Sequence, residues 1–176
     1  PEHDVRALVV EAVRSLGLSA VSLAAMPDVQ AHDVDLPRLA MYSTWGNTQE
    51  VGWVRHAFDQ FGIPFDLIYK ERVKKGSLKG DYDVIIMAAQ NVSRAQVMTP
   101  AAARPQPYMK GGKYQFLGMY GETMDTSGGF GQEGIDAFKA FLEAGGTLIT
   151  TDSAVRFPIE MGFARTVDTE AVPGIN

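Results

Sequence analysis

Apolar residues near the start of the chain recur every three or four positions, and this spacing is then lost. Between Val5 and Leu16 the spacing predicts an amphipathic helix, with Gly17 as its stop. The apolar run at 18–23 has the length of a short strand. The polar residues 24–37, which include two prolines, indicate a linker.

Strand-like and helix-like patterns alternate through the rest of the chain. The predicted strands are the apolar runs 38–45, 64–70, 82–90 and 147–152, with a further short run at 114–120. The predicted helices are 47–62 and 131–146. Because strands separated by helices form parallel sheets, we expect an α/β three-layer sandwich: a mostly parallel sheet with helices on both faces. The helix, short strand and linker then occupy 1–36 and the α/β domain 37–176, which we expect to be truncated at its C-terminus.

Each helix predicted in the α/β domain has one apolar face that we expect to pack against the sheet. In the first helix, the predicted buried residues are Val51, Val54, Phe58 and Phe61. In the second helix, they are Ile135, Phe138, Phe141 and Leu142.

Polar and aromatic residues follow three of the predicted strands. Since the carboxyl ends of parallel strands meet at one edge of a sheet, these residues are expected to lie together, where such folds bind ligands. The predicted ligand-binding edge consists of Trp45, Asn47, Gln90, Asn91, Asp152 and Ser153. A tryptophan at this edge can line a small-molecule pocket or pack against a neighbouring domain, and the sequence leaves both open.

Composition excludes several partners and several kinds of active site. The 176 residues carry a net charge of −5, which argues against nucleic acid as the main partner, and no stretch has the length of a membrane span. The absence of cysteine excludes disulfides, thiolate metal sites and a cysteine nucleophile. The chain has three histidines, His3, His32 and His56, all in its first third.

Asp152 and Ser153 follow the last strong strand, where α/β enzymes often hold a nucleophile. A serine nucleophile needs a base within hydrogen-bond distance, and His56 is predicted in the middle of a helix, away from the strand ends. The sequence favours a simpler interpretation, in which Ser153 caps the next helix and Asp152 closes the turn.

Three further features suggest chemistry less strongly. Glu122, Asp125 and Glu160 would form an acid–base pair only if the long loop folded over the strand ends. The glycine-rich segment 127–134 could bind a phosphate, but it lacks the lysine and hydroxyl residue of a nucleotide loop. The lysines around 70–79 are interrupted by acids, which predicts a solvated face.

Three segments together carry a resemblance to a known family: "LPRLAMYSTWGNTQEVGWVRHAFDQFGIPFDLIY", "LKGDYDVIIMAAQ" and "GGFGQEGIDAFKAFLEAGGTLITTDSA". In order and spacing, they resemble the glutamine-amidotransferase-like domain C-terminal to the peptidase domain of bacterial zinc carboxypeptidase-family proteins. The resemblance covers roughly residues 37–160 and implies a flavodoxin-like fold.

The resemblance also implies a role. An amidotransferase needs a cysteine at the end of the strand that here leads to Asp152, together with a later histidine, and this chain has neither. We therefore expect a non-catalytic accessory domain that packs against or assists the peptidase domain of the same chain. The resemblance places zinc only in that separate peptidase domain, whose ligands include a His-x-x-Glu motif, and none of the three histidines here begins that motif. It therefore implies a fragment with no metal site and no cofactor, and export to the periplasm or outside the cell.

Two alternatives stay open from the sequence. One is a binding module for a sugar or peptide-like ligand at the predicted edge. The other is a serine or carboxylate hydrolase, which requires a base beside Ser153 or a close pair of acids.

Overall fold

The computed structural model describes residues 5–25, 27–30, 36–46, 49–111 and 121–167. The chain divides into two units, Pro1–Asp35 and Leu36–Asn176. The predicted strand at 114–120 lies outside the described residues.

The first unit contains the predicted helix α1, Val5–Leu16. Gly17 ends it with a positive φ of 63°, a conformation that glycine adopts without steric cost. None of the helix residues is buried. The strand predicted at 18–23 is wrong, because these residues form no ladder and strands need a neighbour to satisfy their backbone groups.

The second unit is built on four parallel strands in the order β2-β1-β3-β4. The strands are β1 Leu39–Tyr42, β2 Asp66–Ile68, β3 Val84–Met87 and β4 Thr147–Thr150. All four of the strong strand predictions are confirmed, each with narrower bounds. The order is the one that flavodoxin-like folds share, so the predicted α/β class is also confirmed.

Helices connect the strands and cover both faces. The remaining elements are α2 Gln49–Phe61, α3 Lys70–Lys74, α4 Leu78–Asp81, α5 Arg94–Val97, α6 Gly131–Glu143, a 3-10 turn at Asp152–Val155 and α7 Arg156–Glu160. The two predicted helices correspond to α2 and α6. The helix expected after Ser153 corresponds to α7. The bounds of α3, α4 and α5 were not predicted, since pieces of four or five residues are too short to show a helical period.

The larger part of the core lies on the sheet face that α6 covers. Phe130, Phe138 and Phe157 are fully buried there and contact one another edge-on or tilted, at centroid distances of 5.0–5.6 Å. Tyr42 of β1 meets Phe130 edge-on at 5.5 Å. This aromatic cluster joins the sheet to α6 and α7, and it confirms that Phe138 faces inward, as do Ile135 and Phe141.

Helix α2 covers the opposite face over a smaller area. Met41 and Val51 are buried in this second cluster, with Val54 and Phe58 partly buried against it. The inward prediction for Phe61 is wrong, because its side chain is 81% exposed. Phe61 is the last residue of α2, beyond the part of the helix that lies over the sheet cluster.

The glycine-rich lead into α6 packs against the segment after β3. A Cβ on Gly129 would lie 2.1 Å from the Val97 carbonyl oxygen, and a Cβ on Gly128 would lie 2.9 Å from the Ala101 backbone nitrogen. The Gly129 N–H donates to the Thr99 carbonyl oxygen at 2.9 Å. The glycines therefore allow a close approach of two backbone segments.

Replacing Gly129 by alanine tests that approach. The new methyl group collides with backbone rather than with a movable side chain, so we expect Gly129→Ala to lower the free energy of unfolding by about 2–3 kcal/mol. Urea denaturation measures the change. Gly52→Ala is the matched control: a Cβ there meets nothing within 4 Å, and we expect a gain of about 0.5–1 kcal/mol inside α2. Equal effects of the two substitutions would contradict the close approach.

Candidate functional site

A cavity of about 370 Å³ opens at the carboxyl edge of the sheet, between β1 and β3. We call it the edge cavity. Its walls are residues 42–46 after β1, Lys70 after β2, Asn91, Gln96 and Val97 after β3, and residues 126–129 from the long loop. The strand order reverses between β1 and β3, which is where open α/β sheets bind ligands.

Gln90 fixes the distance between the two strand ends beneath the cavity. Its side chain is 2% exposed; Nε2 donates to the Tyr42 carbonyl oxygen at 2.9 Å, and Oε1 accepts from the Thr44 N–H at 2.9 Å. The ladder between β1 and β3 has its last pair at Tyr42 and Met87. Gln90 therefore links β1 and β3 beyond the end of their ladder.

Trp45 forms one wall and is held by Tyr69 and Glu71. Its ring stacks on Tyr69 at 3.8 Å with the two planes 6° apart. Its indole N–H donates to both Glu71 carboxylate oxygens, at 3.1 and 3.2 Å. The Thr123 hydroxyl donates to Glu71 Oε1 at 2.6 Å, so Glu71 joins the loop after β1 to the long loop.

Asp125 organises the opposite wall. Its Oδ1 accepts from the Ser127 hydroxyl at 2.7 Å, the Ser127 N–H at 3.0 Å and the Gln106 N–H at 3.1 Å. These bonds, the Ser127 hydroxyl first, lower the pKa of Asp125 to about 2, and the Lys70 charge adds to the effect. The Lys70 ammonium also donates to the Ser127 carbonyl oxygen.

Tyr42 lies at the base of the edge cavity as a neutral phenol. Burial, followed by the negative charge of Glu71, raises the pKa of Tyr42 well above its usual range. Its hydroxyl is therefore held in the protonated form.

The turn after β4 has an unusual backbone. Asp152 adopts a left-handed conformation with φ of 49°, which is uncommon for a residue with a side chain. Ser153 is the second residue of the 3-10 turn, and its hydroxyl donates to the Gln90 carbonyl oxygen at 3.4 Å. The prediction that Ser153 caps the next helix is therefore wrong: Val155 holds the cap position of α7 and makes no side-chain cap bond.

The three acids considered as a catalytic pair bind separate backbone groups. Glu122 Oε1 accepts from the Lys110 N–H at 2.7 Å, and Glu160 Oε2 accepts from the Arg94 N–H at 2.6 Å. Asp125 is bound within its own loop, as described above. Each carboxylate thus stabilises a different segment.

The structure brings part of the predicted edge together. Trp45 and Asn91 line the cavity, Gln90 lies beneath it, and neither Asp152 nor Ser153 lines it. Asn47 lies outside the described residues. Asn91 is exposed, and its carbonyl oxygen accepts from the Ser93 hydroxyl at 3.0 Å.

Sequence reasoning missed Lys70 and residues 126–129 as cavity walls. The prediction of a solvated face is wrong for Lys70, whose side chain is half-buried against the long loop, although Lys74 and Lys75 are exposed. The glycine-rich composition of segment 127–134 is the signal that could have located the wall formed by residues 126–129. The other tryptophan of the chain, Trp53, lies on α2, and its side chain is 64% exposed.

Neither a metal cluster nor a membrane-spanning helix is found in the described part of the chain. Within it, no three His, Asp or Glu side chains are close enough to bind one metal ion. No helix there has the length and hydropathy needed to span a membrane.

Comparison of the chain with family models, with curated proteins and with solved structures finds no match.

The role assigned to Gln90 predicts a stability loss. Gln90→Leu fills the same space but leaves the Tyr42 carbonyl and the Thr44 N–H without their partner. Since an unsatisfied buried polar group costs about 1–3 kcal/mol, we expect the free energy of unfolding to fall by about 2–4 kcal/mol. Urea denaturation of Gln90→Leu beside Gln96→Leu, an exposed position on α5, gives the comparison. A loss no larger than that of Gln96→Leu would contradict the role.

The Asp125 bonds predict a pH dependence. The pKa of Asp125 is lower in the folded chain than its ordinary value of 3.8, so the carboxylate stabilises the fold above pH 4. This contribution is lost as the pH falls from about 4 to about 2. The gap in urea midpoint between the wild type and Asp125→Asn should therefore be largest near pH 6 and should narrow steeply as the pH falls toward 2. A gap as wide at pH 2 as at pH 6 would contradict the assignment.

Proposed function

We propose that the Leu36–Asn176 unit is a non-catalytic, glutamine-amidotransferase-like accessory domain of a larger zinc carboxypeptidase-like protein. The observation that carries the proposal is the left-handed backbone of Asp152 at the end of β4. Strained strand-to-helix turns of this kind are where α/β enzymes present a nucleophile. Here the turn presents a carboxylate.

The surroundings of the turn support a domain without catalysis. A serine nucleophile is activated by a base that accepts its proton. The Ser153 hydroxyl instead donates to a backbone carbonyl oxygen, which cannot take up a proton. His56 belongs to α2, the helix on the sheet face opposite to the one on which Ala154 and Phe157 are buried.

An activity assay tests the proposal. We expect the purified chain to hydrolyse neither glutamine nor p-nitrophenyl acetate faster than Ser153→Ala and Asp152→Ala prepared in the same way. The physical reason is that the Ser153 hydroxyl donates to a backbone carbonyl oxygen, which cannot take up its proton. Turnover of either substrate that both substitutions abolished, in variants with unchanged urea midpoints, would contradict a non-catalytic domain.

The edge cavity favours a second candidate function, the binding of a small ligand. Its volume of about 370 Å³ lies in the range of small-molecule sites, and it occupies the ligand position of open α/β sheets. The Trp45 wall is held rigidly by Tyr69 and Glu71, which reduces the entropy lost when a ligand binds. In a larger protein, an accessory domain could hold a substrate or an effector in this way.

A further inference from the structure

A cationic side chain lines the edge cavity of an acidic protein. The whole chain carries a net charge of −5, yet Lys70 is the one charged side chain among the described residues that line the cavity. A single charge in a concave, partly dehydrated site acts more strongly than the same charge on an open surface. The cavity is therefore suited to an anion.

The Lys70 ammonium keeps donors for a ligand. An ammonium group has three N–H bonds, and one of them is directed to the Ser127 carbonyl oxygen. That bond fixes the head of a flexible side chain at the cavity wall, so the remaining donors are positioned before a ligand arrives.

Asp125 is the acid whose charge interacts with Lys70, and its hydrogen bonds hold it within the loop behind the cavity wall. Oδ1 accepts three hydrogen bonds from Ser127 and Gln106. The carboxylate is not part of the cavity lining. It stabilises the loop that holds Lys70 in place, and the ammonium remains the charged group that a ligand meets.

Asn91 supplies a second donor on the opposite side. Its carbonyl oxygen accepts from the Ser93 hydroxyl and the Ser93 N–H, at 3.0 and 3.4 Å. The NH₂ group of the same amide is consequently the part left to face a ligand. An amide NH₂ and an ammonium together match the oxygens of a phosphate or a carboxylate.

We propose that the edge cavity binds a small organic anion, whose phosphate or carboxylate group contacts Lys70 and Asn91 while its organic part lies against Trp45. The proposal deepens the small-ligand candidate function and rests on it. Phosphate and carboxylate share the chemistry described here, so the experiment includes both.

The experiment uses the indole of Trp45 as the reporter. The chain has two tryptophans, so Trp53→Phe leaves Trp45 as the only one. Titrations at low ionic strength use inorganic phosphate, succinate, and the neutral probes glucose and N-acetylglycinamide. We expect phosphate or succinate to change the Trp45 fluorescence with a saturable curve that weakens as sodium chloride is added.

Variants of two lysines of α3 test whether the charge of Lys70 binds the anion. In the Trp53→Phe background, we expect Lys70→Met to weaken anion binding at least tenfold. Lys74→Met, which removes an exposed lysine of α3 outside the cavity lining, should leave binding unchanged. Lys70→Arg keeps the charge and should retain binding within a few-fold, which separates loss of charge from loss of the loop contact. Urea midpoints confirm that each variant is folded.

The outcomes separate the two proposals. Saturable binding of phosphate or succinate that Lys70→Met abolishes supports the anion site, and the stronger of the two identifies the preferred group. Binding of a neutral probe alone, or anion binding that Lys70→Met does not alter, overturns the anion site and leaves the small-ligand function standing. If none of the probes changes the fluorescence of a folded protein, the anion site is overturned as well. Only the hydrolysis assay bears on the non-catalytic role.

Discussion

The edge cavity depends on the bond that Gln90 makes between β1 and β3. These strands are neighbours in the sheet, but the chain leaves β1 toward α2 on one face and leaves β3 toward α5 on the other. Backbone pairing stops at Tyr42 and Met87, so nothing in the ladder sets the distance between the diverging chains. A buried side-chain amide offers a donor and an acceptor on one rigid plane, and Gln90 uses both to close that gap. Gln90 therefore fixes the distance between the cavity walls that follow β1 and β3.

The sequence predicted the elements whose pattern arises from burial in the core. Ile85 and Met87 of β3 are fully buried, and Phe138 and Phe141 of α6 face the sheet. The apolar pattern therefore predicted these positions correctly. The wrong predictions concern apolar residues that lie outside the packed core. Phe61 continues the apolar stripe of α2 but projects past the second cluster, and the apolar residues at 18–23 find no strand to pair with. A periodic pattern indicates which face is apolar, but not what covers it.

The candidate site was only partly predictable, for a different reason. Trp45 and Asn91 follow strands directly, and strand ends can be located from the sequence. Lys70 also follows a strand, two residues after the end of β2, but the acids around it indicated a solvated face. Residues 126–129 reach the cavity because the long loop folds back onto the edge. That docking depends on Glu71, which accepts from both Trp45 and Thr123. The Trp45–Glu71 contact joins residues that are 26 positions apart, and the Glu71–Thr123 contact joins residues that are 52 positions apart. Contacts over such separations produce no periodic pattern, so composition was the only signal in the sequence.

The turn after β4 and the edge cavity occupy different parts of the same edge, and this separation bears on function. Catalysis requires the nucleophile and the bound substrate within bonding distance. The cavity lies between β1 and β3, whereas Asp152 and Ser153 follow β4 on the far side of β3 and do not line it. The Trp45 wall and the turn are therefore separate features of one sheet edge. This separation supports the proposed function, in which the cavity holds a ligand and the turn at Asp152 takes no part in catalysis.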